Sequence, residues 1–504
     1  MRLSRRVSLT AFVAVALCPL LSAQTTSTAP AKKTTASEVK APLPVGAVTI
    51  TVKSGEQQTL LGWGAGLNRG IAYDLLSVQQ QAQISKALWK DLKFNTLRIW
   101  FAMNLYAPQP GQRDINAVFP PPYVAAIKDA RACGVKYILM TPTSAPDYLT
   151  EQATYDDKGT PRTYTRIKAD AIAQHAAIIA DAILDAKDKL GIHIDVSGLQ
   201  NEPGRRFLDW PASVKALRAA LDERGLKDVK IIAPEAASAD ASAKSMIQSL
   251  RDDPAAWAVL DGIATHSYNM AATAAFAILA DGKEYWQTES SQPGREDDPH
   301  DAQWAAVTAA QFLNDMNHGV THWMYFIGFM QEDPKDNGVR IIKFKRTPTG
   351  EDWMTRQYKY FYLEQLTQAF DIGAVFRSCA SSTEKEMTRT YGRKPRLNAA
   401  AARNSDGTWS IGIVNGTSND IDMSTPFNAA NAGRPAQTFT VTLQVEELSA
   451  SGVITFHAAR SSPEQANIDE GKIVMKNGEI TLTIKPLELL TLRSDKPVTT
   501  RRSE

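Results

Sequence analysis

From residue 60 to residue 372, short apolar runs alternate with stretches of helical spacing, and this rhythm restricts the fold more than any other feature of the chain. The runs lie at 60–63, 96–100, 135–140, 194–199, 229–233, 262–265, 284–287 and 320–326. Between them come stretches such as 77–92, where Ile84, Leu88 and Leu92 recur every fourth residue. Others lie near 121–133, 166–190, 211–225, 242–258, 302–317 and 355–370. A strand, a helix and another strand in succession place the two strands parallel. Eight such runs predict a closed (β/α)8 TIM barrel over 60–372 rather than an open doubly wound sheet. The crossover at 272–281 is short and Ala-rich.

The flanks read differently. Val48-Thr49-Ile50-Thr51-Val52 alternates like a half-buried strand, but no sheet lies beside it in sequence. After residue 372, apolar segments at 397–402, 408–415, 437–445, 453–458, 473–475 and 480–492 are separated by turns such as Asn415-Gly416 and Asn477-Gly478. They predict a β-sandwich side domain over 373–495, with the strand at 45–59 pairing into it and a disordered tail at 496–504. The junction near 373 carries no Pro- or Ser-rich linker.

At the N-terminus, Arg2, Arg5 and Arg6 precede an apolar stretch at 9–21 and a small-residue site at Ser22-Ala23. This is the pattern of a signal peptide at 1–23, of the general secretory rather than the twin-arginine type. A disordered linker at 24–44, rich in Thr, Ala, Lys and Pro, follows it. The expectation is a secreted or periplasmic protein with no membrane association after cleavage. Cleavage removes three of the 56 basic residues and none of the 54 acidic ones, leaving the two near balance. Nothing in that balance favours nucleic acid as a partner. Cys133 and Cys379 remain, and Cys133 closes a helical pattern as a free thiol would.

In a barrel of this kind the reactive groups sit at the C-terminal ends of the strands. The first run hands over Trp63 within Gly62-Trp63-Gly64, and the second Arg98 and Trp100. The fourth supplies Asn201 and Glu202, and the fifth Glu235. His266 and Tyr268 end the sixth, Glu289 the seventh, and Trp323 lies in the eighth. Two carboxylates ringed by aromatic, amide and guanidinium groups suit a sugar. Rings pack on pyranose faces, polar groups bind hydroxyls, and the acid pair provides the proton donor and nucleophile of glycoside hydrolysis. Glu235 competes as an acid, but Ala236-Ala237-Ser238 beside it lack sugar-binding character. His318 and His322 have the spacing of a metal pair, yet Gly319-Val320 ends a helix between them and no HExxH is present. No metal and no cofactor is expected. GxSxG is absent, and Leu67 interrupts a dinucleotide fingerprint.

"LQNEP" (199–203), "THSYN" (265–269) and "YWQTES" (285–290), in that order, resemble the clan of (β/α)8 retaining glycoside hydrolases with the acid/base on strand 4 and the nucleophile on strand 7. Within the clan the chain is similar to glycoside hydrolase family 30. That likeness rests on "LLGWGAGLNRG" (60–70), on "RQYKYFYLEQLTQAFDIGAVF" (356–376), which resembles a last barrel helix entering a β domain, and on "LTIKPLELLTL" (482–492). It spans 46–495. The resemblance implies Glu202 as acid/base and Glu289 as nucleophile.

In chemical terms, Glu202 needs a raised pKa, Glu289 needs donors from Arg98 and Tyr268, and Asn201 is placed for the sugar 2-OH. His266, Trp323, Trp100 and Trp63 would bind substrate. Pro203 biases Glu202 toward an extended backbone. Asn68-Arg69 stands where glucosylceramidase-like members carry Thr-Asp. That departure points away from a glucosidase and leaves xylan, galactan, β-1,6-glucan and β-fucosides all open as substrates. The expected activity is retaining β-glycoside hydrolysis by double displacement, the alternative a catalytically inactive carbohydrate-binding protein on the same scaffold.

Overall fold

The computed structural model describes residues 45–268, 270–292, 301–333, 339–390, 394–419 and 435–498. The signal peptide expected at 1–23, the linker at 24–44 and most of the tail expected at 496–504 lie outside the described residues.

A long strand, β1 (Val45–Thr59), precedes the barrel. The first barrel strands are β2 (Gly62–Leu67), β3 (Thr96–Ala102) and β4 (Tyr137–Thr143). A hairpin, β5 (Thr150–Asp157) and β6 (Thr160–Ile167), then leaves the barrel. It resumes with β7 (Val196–Ser197), β8 (Lys230–Ala236), β9 (Gly262–His266), β10 (Glu284–Glu289) and β11 (His322–Tyr325). All eight barrel strands pair in parallel, and β11 returns to β2, with Trp323 opposite Trp63. The crossover helices start where short polar side chains cap them. Ser77 and Gln80 form a reciprocal capping box, and Asp209 and Asp240 accept from Ala212 and Ala243 N–H. The short sixth crossover carries the helix Ala274–Ala280.

Period-two alternation divides the strand residues between two apolar layers. Leu139, Val196, Ile232, Ala264, Trp286 and Met324 fill the inside of the barrel as a separate cluster. Trp63, Ala65, Leu97, Ile99, Trp323 and Tyr325 belong to the larger cluster between the strands and the helices. The inward row of β2 is Gly62, Gly64 and Gly66, because its neighbours occupy the space a side chain would take. A Cβ on Gly62 would lie 2.2 Å from His322 Cδ2, on Gly64 1.8 Å from the Thr96 carbonyl, and on Gly66 2.5 Å from Trp100 Cη2. His322 lies flat on Trp286 inside the barrel, with centroids 3.5 Å apart. His318 instead bonds the Asn314 carbonyl and Thr388, so the two histidines face different surroundings.

A small sheet, β12 (Phe329–Gln331), β13 (Ile342–Phe344) and β14 (Met354–Arg356), precedes the helix Tyr358–Ala369. The second sheet domain contains β15 (Val375–Ser381), β16 (Leu397–Arg403), β17 (Trp409–Asn415) and β18 (Thr438–Val445). Its remaining strands are β19 (Val453–Ser461), β20 (Ile468–Lys476), β21 (Glu479–Ile484) and β22 (Leu489–Ser494). Where a two-sheet sandwich was expected, the ladder runs β1-β15-β16-β17-β22-β19-β20-β21-β18 and closes on β1. β1 closes it by pairing antiparallel with β15 and parallel with β18, Val45 opposite Thr438 through Val52 opposite Val445. Val48, Ile50 and Val52 enter one core with Trp409, Phe439, Leu443 and Phe456. The helix Ala302–Met316 is buried along its whole length, with Leu313 packed against Gly412 of β17. Cys133 and Cys379 are free thiols. Among the described residues no helix is long and apolar enough to cross a membrane.

A chain ending at residue 373 would leave β1 without either partner and uncover the buried face of Ala302–Met316. Exposed strand edges and apolar faces aggregate. Residues 45–373 expressed alone are therefore expected to elute as aggregates in size-exclusion chromatography with light scattering; a monodisperse, folded product would show that the sheet domain is dispensable.

Candidate active site

Arg98 lies at the centre of the barrel mouth. Its position two residues after Thr96 on the inward row of β3 directs it inside, and it is 1% exposed. Nε donates to Thr141 Oγ1 (3.0 Å), Nη1 to Glu289 Oε2, and Nη2 to Asn201 Oδ1 (2.5 Å) and Glu235 Oε2 (3.1 Å). Nη2 also lies 3.3 Å from His266 Nε2, and the guanidinium covers the Trp100 ring at 4.7 Å. Burial opposes its charge, but the carboxylates of Glu289 and Glu235 outweigh that and hold its pKa above the ordinary value.

Glu289 ends β10 and is 7% exposed. Its Oε1 accepts from the Tyr268 hydroxyl at 2.6 Å, so both oxygens have donors. Burial, and then the Glu289 charge, push the Tyr268 pKa far up, which keeps its proton available for that bond. Ser291 Oγ lies 3.4 Å from the same hydroxyl.

Glu202 stands beyond β7, its side chain 39% exposed. Two backbone bonds hold the turn that presents it: Asn201 N–H donates to the Pro142 carbonyl (2.7 Å) and Glu202 N–H to the Glu235 carbonyl (3.1 Å). The chain is not extended there as Pro203 suggested. Glu202 has φ 44°, a left-handed conformation held by those cross-strand bonds. His266 Nδ1 lies 3.1 Å from Glu202 Oε1. Because Arg98 can only donate, His266 Nε2 is the acceptor, so the ring proton sits on Nδ1 and is donated to Glu202. That hydrogen bond, opposed by partial burial and assisted by the charge of Arg98, holds the Glu202 pKa below the ordinary carboxylate value. The raised pKa expected for a proton donor is thus absent here, because His266 favours the charged form and the carboxyl remains open to water.

One ligand atom each of Glu202, His266 and Glu289 lie within 4.8 Å of one another, a spacing that would suit a cation. Arg98 already supplies the positive charge of this cluster, through its bonds to Glu289 and its approach to His266.

Arg98, Trp100, Asn201, Glu202, His266, Tyr268 and Glu289 therefore meet at one mouth, but Trp63 and Trp323 do not. Trp63 is 1% exposed and stacks on Phe312 at 4.0 Å; Trp323 is fully buried and donates Nε1–H to Asp315 at 3.0 Å. Both point outward into the helix layer. Inward and outward residues alternate, so assigning the wrong parity moves a whole strand's set to the other face. The inward set of the last strand is His322 and Met324, and the next residue of that parity is Phe326. Phe326 is half-buried and meets Trp100 edge-on at 5.2 Å. It was missed although its spacing from Met324 marks it. His266 has no exposure and touches the acid rather than lining an open pocket. A cavity of about 670 Å³ opens elsewhere, past the strand starts at Leu61, Glu284 and Thr321, at the end of the barrel opposite the acids.

The family model described as glycosyl hydrolase family 59 matches residues 160–341, less than half of the chain. No curated protein matches it. Among solved structures, the catalytic domain of a family 30 xylanase C from Talaromyces cellulolyticus is 17% identical with a TM-score of 0.62, covering 89% of this chain and 100% of its own. A family 30 endoxylanase from Clostridium papyrosolvens is also 17% identical, at TM-score 0.60 with coverages of 89% and 100%. An endo-β-1,6-glucanase is 17% identical at TM-score 0.58, with coverages of 88% and 94%. At such identities the likeness is one of fold: a closed eight-stranded parallel barrel with a second sheet domain.

Removing Arg98 would leave Glu235 and Glu289 buried without a counter-charge. Arg98→Met is expected to cost about 3–5 kcal/mol, read as a lowered urea midpoint. Arg98→Lys should recover little, since one ammonium cannot span Thr141, Asn201 and two carboxylates. A wild-type midpoint in both variants would contradict the hub assignment.

Proposed function

We propose that this protein is a retaining β-glycoside hydrolase, similar to family 30, acting on a β-linked polysaccharide such as xylan, β-1,6-glucan or galactan. The observation that carries this reading is the pair Glu202 and Glu289, with one oxygen of each within 4.8 Å of the other and unlike surroundings. Retaining enzymes hold their two carboxyl groups about 5–5.5 Å apart, too close for an intervening water. Xylan and β-1,6-glucan are named for proteins of similar fold, galactan follows from the family 30 resemblance, and the charged and apolar pattern of residues 1–23 supports an exported enzyme that meets such polymers outside the cytoplasm.

Glu289 is suited to attack the anomeric carbon. Arg98 and Tyr268 donate to its oxygens, favouring the ionised form. Glu202 faces water, where a leaving group would depart, and gives its proton to the glycosidic oxygen as the C–O bond breaks. In the second step Glu202, now a carboxylate, takes a proton from water, whose oxygen displaces Glu289 and restores the β configuration. Asn201 is held by Arg98 through its carbonyl, and its amide nitrogen has no protein partner among the described residues, so it suits the sugar 2-OH. Trp100 and Phe326 form an aromatic corner for a ring face.

NMR of the first-formed product should show the β anomer. With an activated aryl glycoside, Glu202→Ala should keep a fast first step and accumulate glycosyl-enzyme, whereas Glu289→Ala should show neither. An initial α anomer would refute retention, and a reversed variant pattern would exchange the roles.

The Glu202 environment sets a pH dependence. The donor must be protonated, and its pKa in the free enzyme is lowered, so kcat/KM should decline as pH rises through the acid range. Bound sugar displaces water from the carboxyl, and desolvation disfavours its charged form. The descending limb of kcat should therefore lie at higher pH than that of kcat/KM. Coincident limbs would contradict this account.

A further inference from the structure

Glu235 is a third carboxylate in the site, and the two-acid reaction gives it no task. It lies near the end of β8, where the register with β9 slips between Pro234 and Ala236, and its φ is 54°. An extra residue at such a slip re-aims a side chain, here into the barrel. The carboxylate has no exposure at all. Oε2 accepts from Arg98 Nη2 (3.1 Å) and Thr141 Oγ1 (2.9 Å), whereas Oε1 has no hydrogen-bond partner among the described residues. Oε1 rests on the bare Cα of Gly198, where a Cβ would lie 1.7 Å away. A buried, half-satisfied carboxylate is costly, so its place depends on its partners. Those partners lead to both acids of the reaction. The side chain holds Arg98, which bonds Glu289 and Asn201, and the backbone carbonyl accepts from Glu202 N–H.

We propose that Glu235 is a positioning residue: it anchors the inner side of the Arg98 guanidinium and takes up part of its charge, so that Glu289 remains nucleophilic and Glu202 is held at its turn. This rests on the roles given above to Glu202 and Glu289. Glu235 does not exchange a proton with substrate, because it is sealed behind Arg98 and Thr141. Among the described residues, the ionisable groups facing this cluster are Arg98, Glu202, Glu235, His266, Tyr268 and Glu289. Glu235→Gln removes one negative charge among them. The remaining carboxylates then share the whole guanidinium charge, and their ionised forms are favoured.

The test uses the full-length Glu235→Gln enzyme. kcat should fall at least ten-fold with KM within about three-fold. The descending limb of the pH profile should move to lower pH, and the loss should be equal for good and poor leaving groups. Gly198→Ala reaches the same carboxylate from the other side without changing charge, and should lower kcat while leaving that leaving-group ratio intact. Carboxyl-carbon NMR titration of ¹³C-glutamate-labelled protein reads the same charge redistribution without turnover. In Glu235→Gln the Glu202 resonance should titrate at lower pH.

Wild-type kcat and titrations in both variants would overturn the proposal. So would a loss in Glu235→Gln confined to poor leaving groups, which would make Glu235 the proton donor. If the wild-type enzyme hydrolyses no glycoside, the functional reading fails, while the titration still decides whether Glu235 controls the charge of the cluster.

Discussion

The barrel mouth is organised around one buried guanidinium. Arg98 receives acids from three other strand ends, Glu235, Glu289 and the Asn201–Glu202 turn, and reaches Glu202 itself through His266. Three carboxylates would repel one another at these distances without a shared cation, and low exposure strengthens both the repulsion and its relief. A guanidinium suits this place because its donors diverge in a plane and its charge does not titrate away. The cluster is therefore polar yet nearly fully bonded, a condition that holds strand ends in fixed relative positions.

That arrangement needs space, which the glycines provide. Gly66 leaves room for Trp100, on which Arg98 lies, and Gly198 leaves room for the Glu235 carboxylate. Below them, His322 stacked on Trp286 and the six apolar residues of the inner layer form the floor. The large outward residues Trp63 and Trp323, with Phe312 of the helix Ala302–Met316, fill the layer between strands and helices. Asp315 accepts from Trp323 Nε1, Ser267 Oγ and Ala272 N–H, joining that layer to the turn that carries Tyr268. Its burial, partly offset by these donors, raises its pKa to about 6.

β1 plays a comparable part at the scale of the whole chain. It lies before the barrel in sequence but closes the ladder of a sheet built after it, so the ends of the chain are joined around the barrel. Asn317, at the end of the buried helix Ala302–Met316, continues the link by bonding the Cys379 backbone of β15 through both of its side-chain polar atoms. The sheet domain and the barrel share this helix as a common wall.

The order of strands and helices was legible because hydrophobic periodicity is a local property, and the acids at 202 and 289 were legible because they end apolar runs. The alternation at 48–52 likewise demanded a partner. The facing of the aromatics was not legible: Trp63 and Trp323 lie one residue from inward positions, and an apolar residue fits either layer until strand register is known. Nor was the role of Glu235, whose neighbours in sequence are small and whose partners are 37 to 137 residues away: Gly198, Thr141 and Arg98. Sequence alone thus determined which elements form and where polar groups end them, since both follow from residues near one another in the chain. Which groups share a charge, which face a tryptophan takes and how the pKa of Glu202 moves were decided by tertiary structure, because each depends on side chains that only the closed barrel brings together.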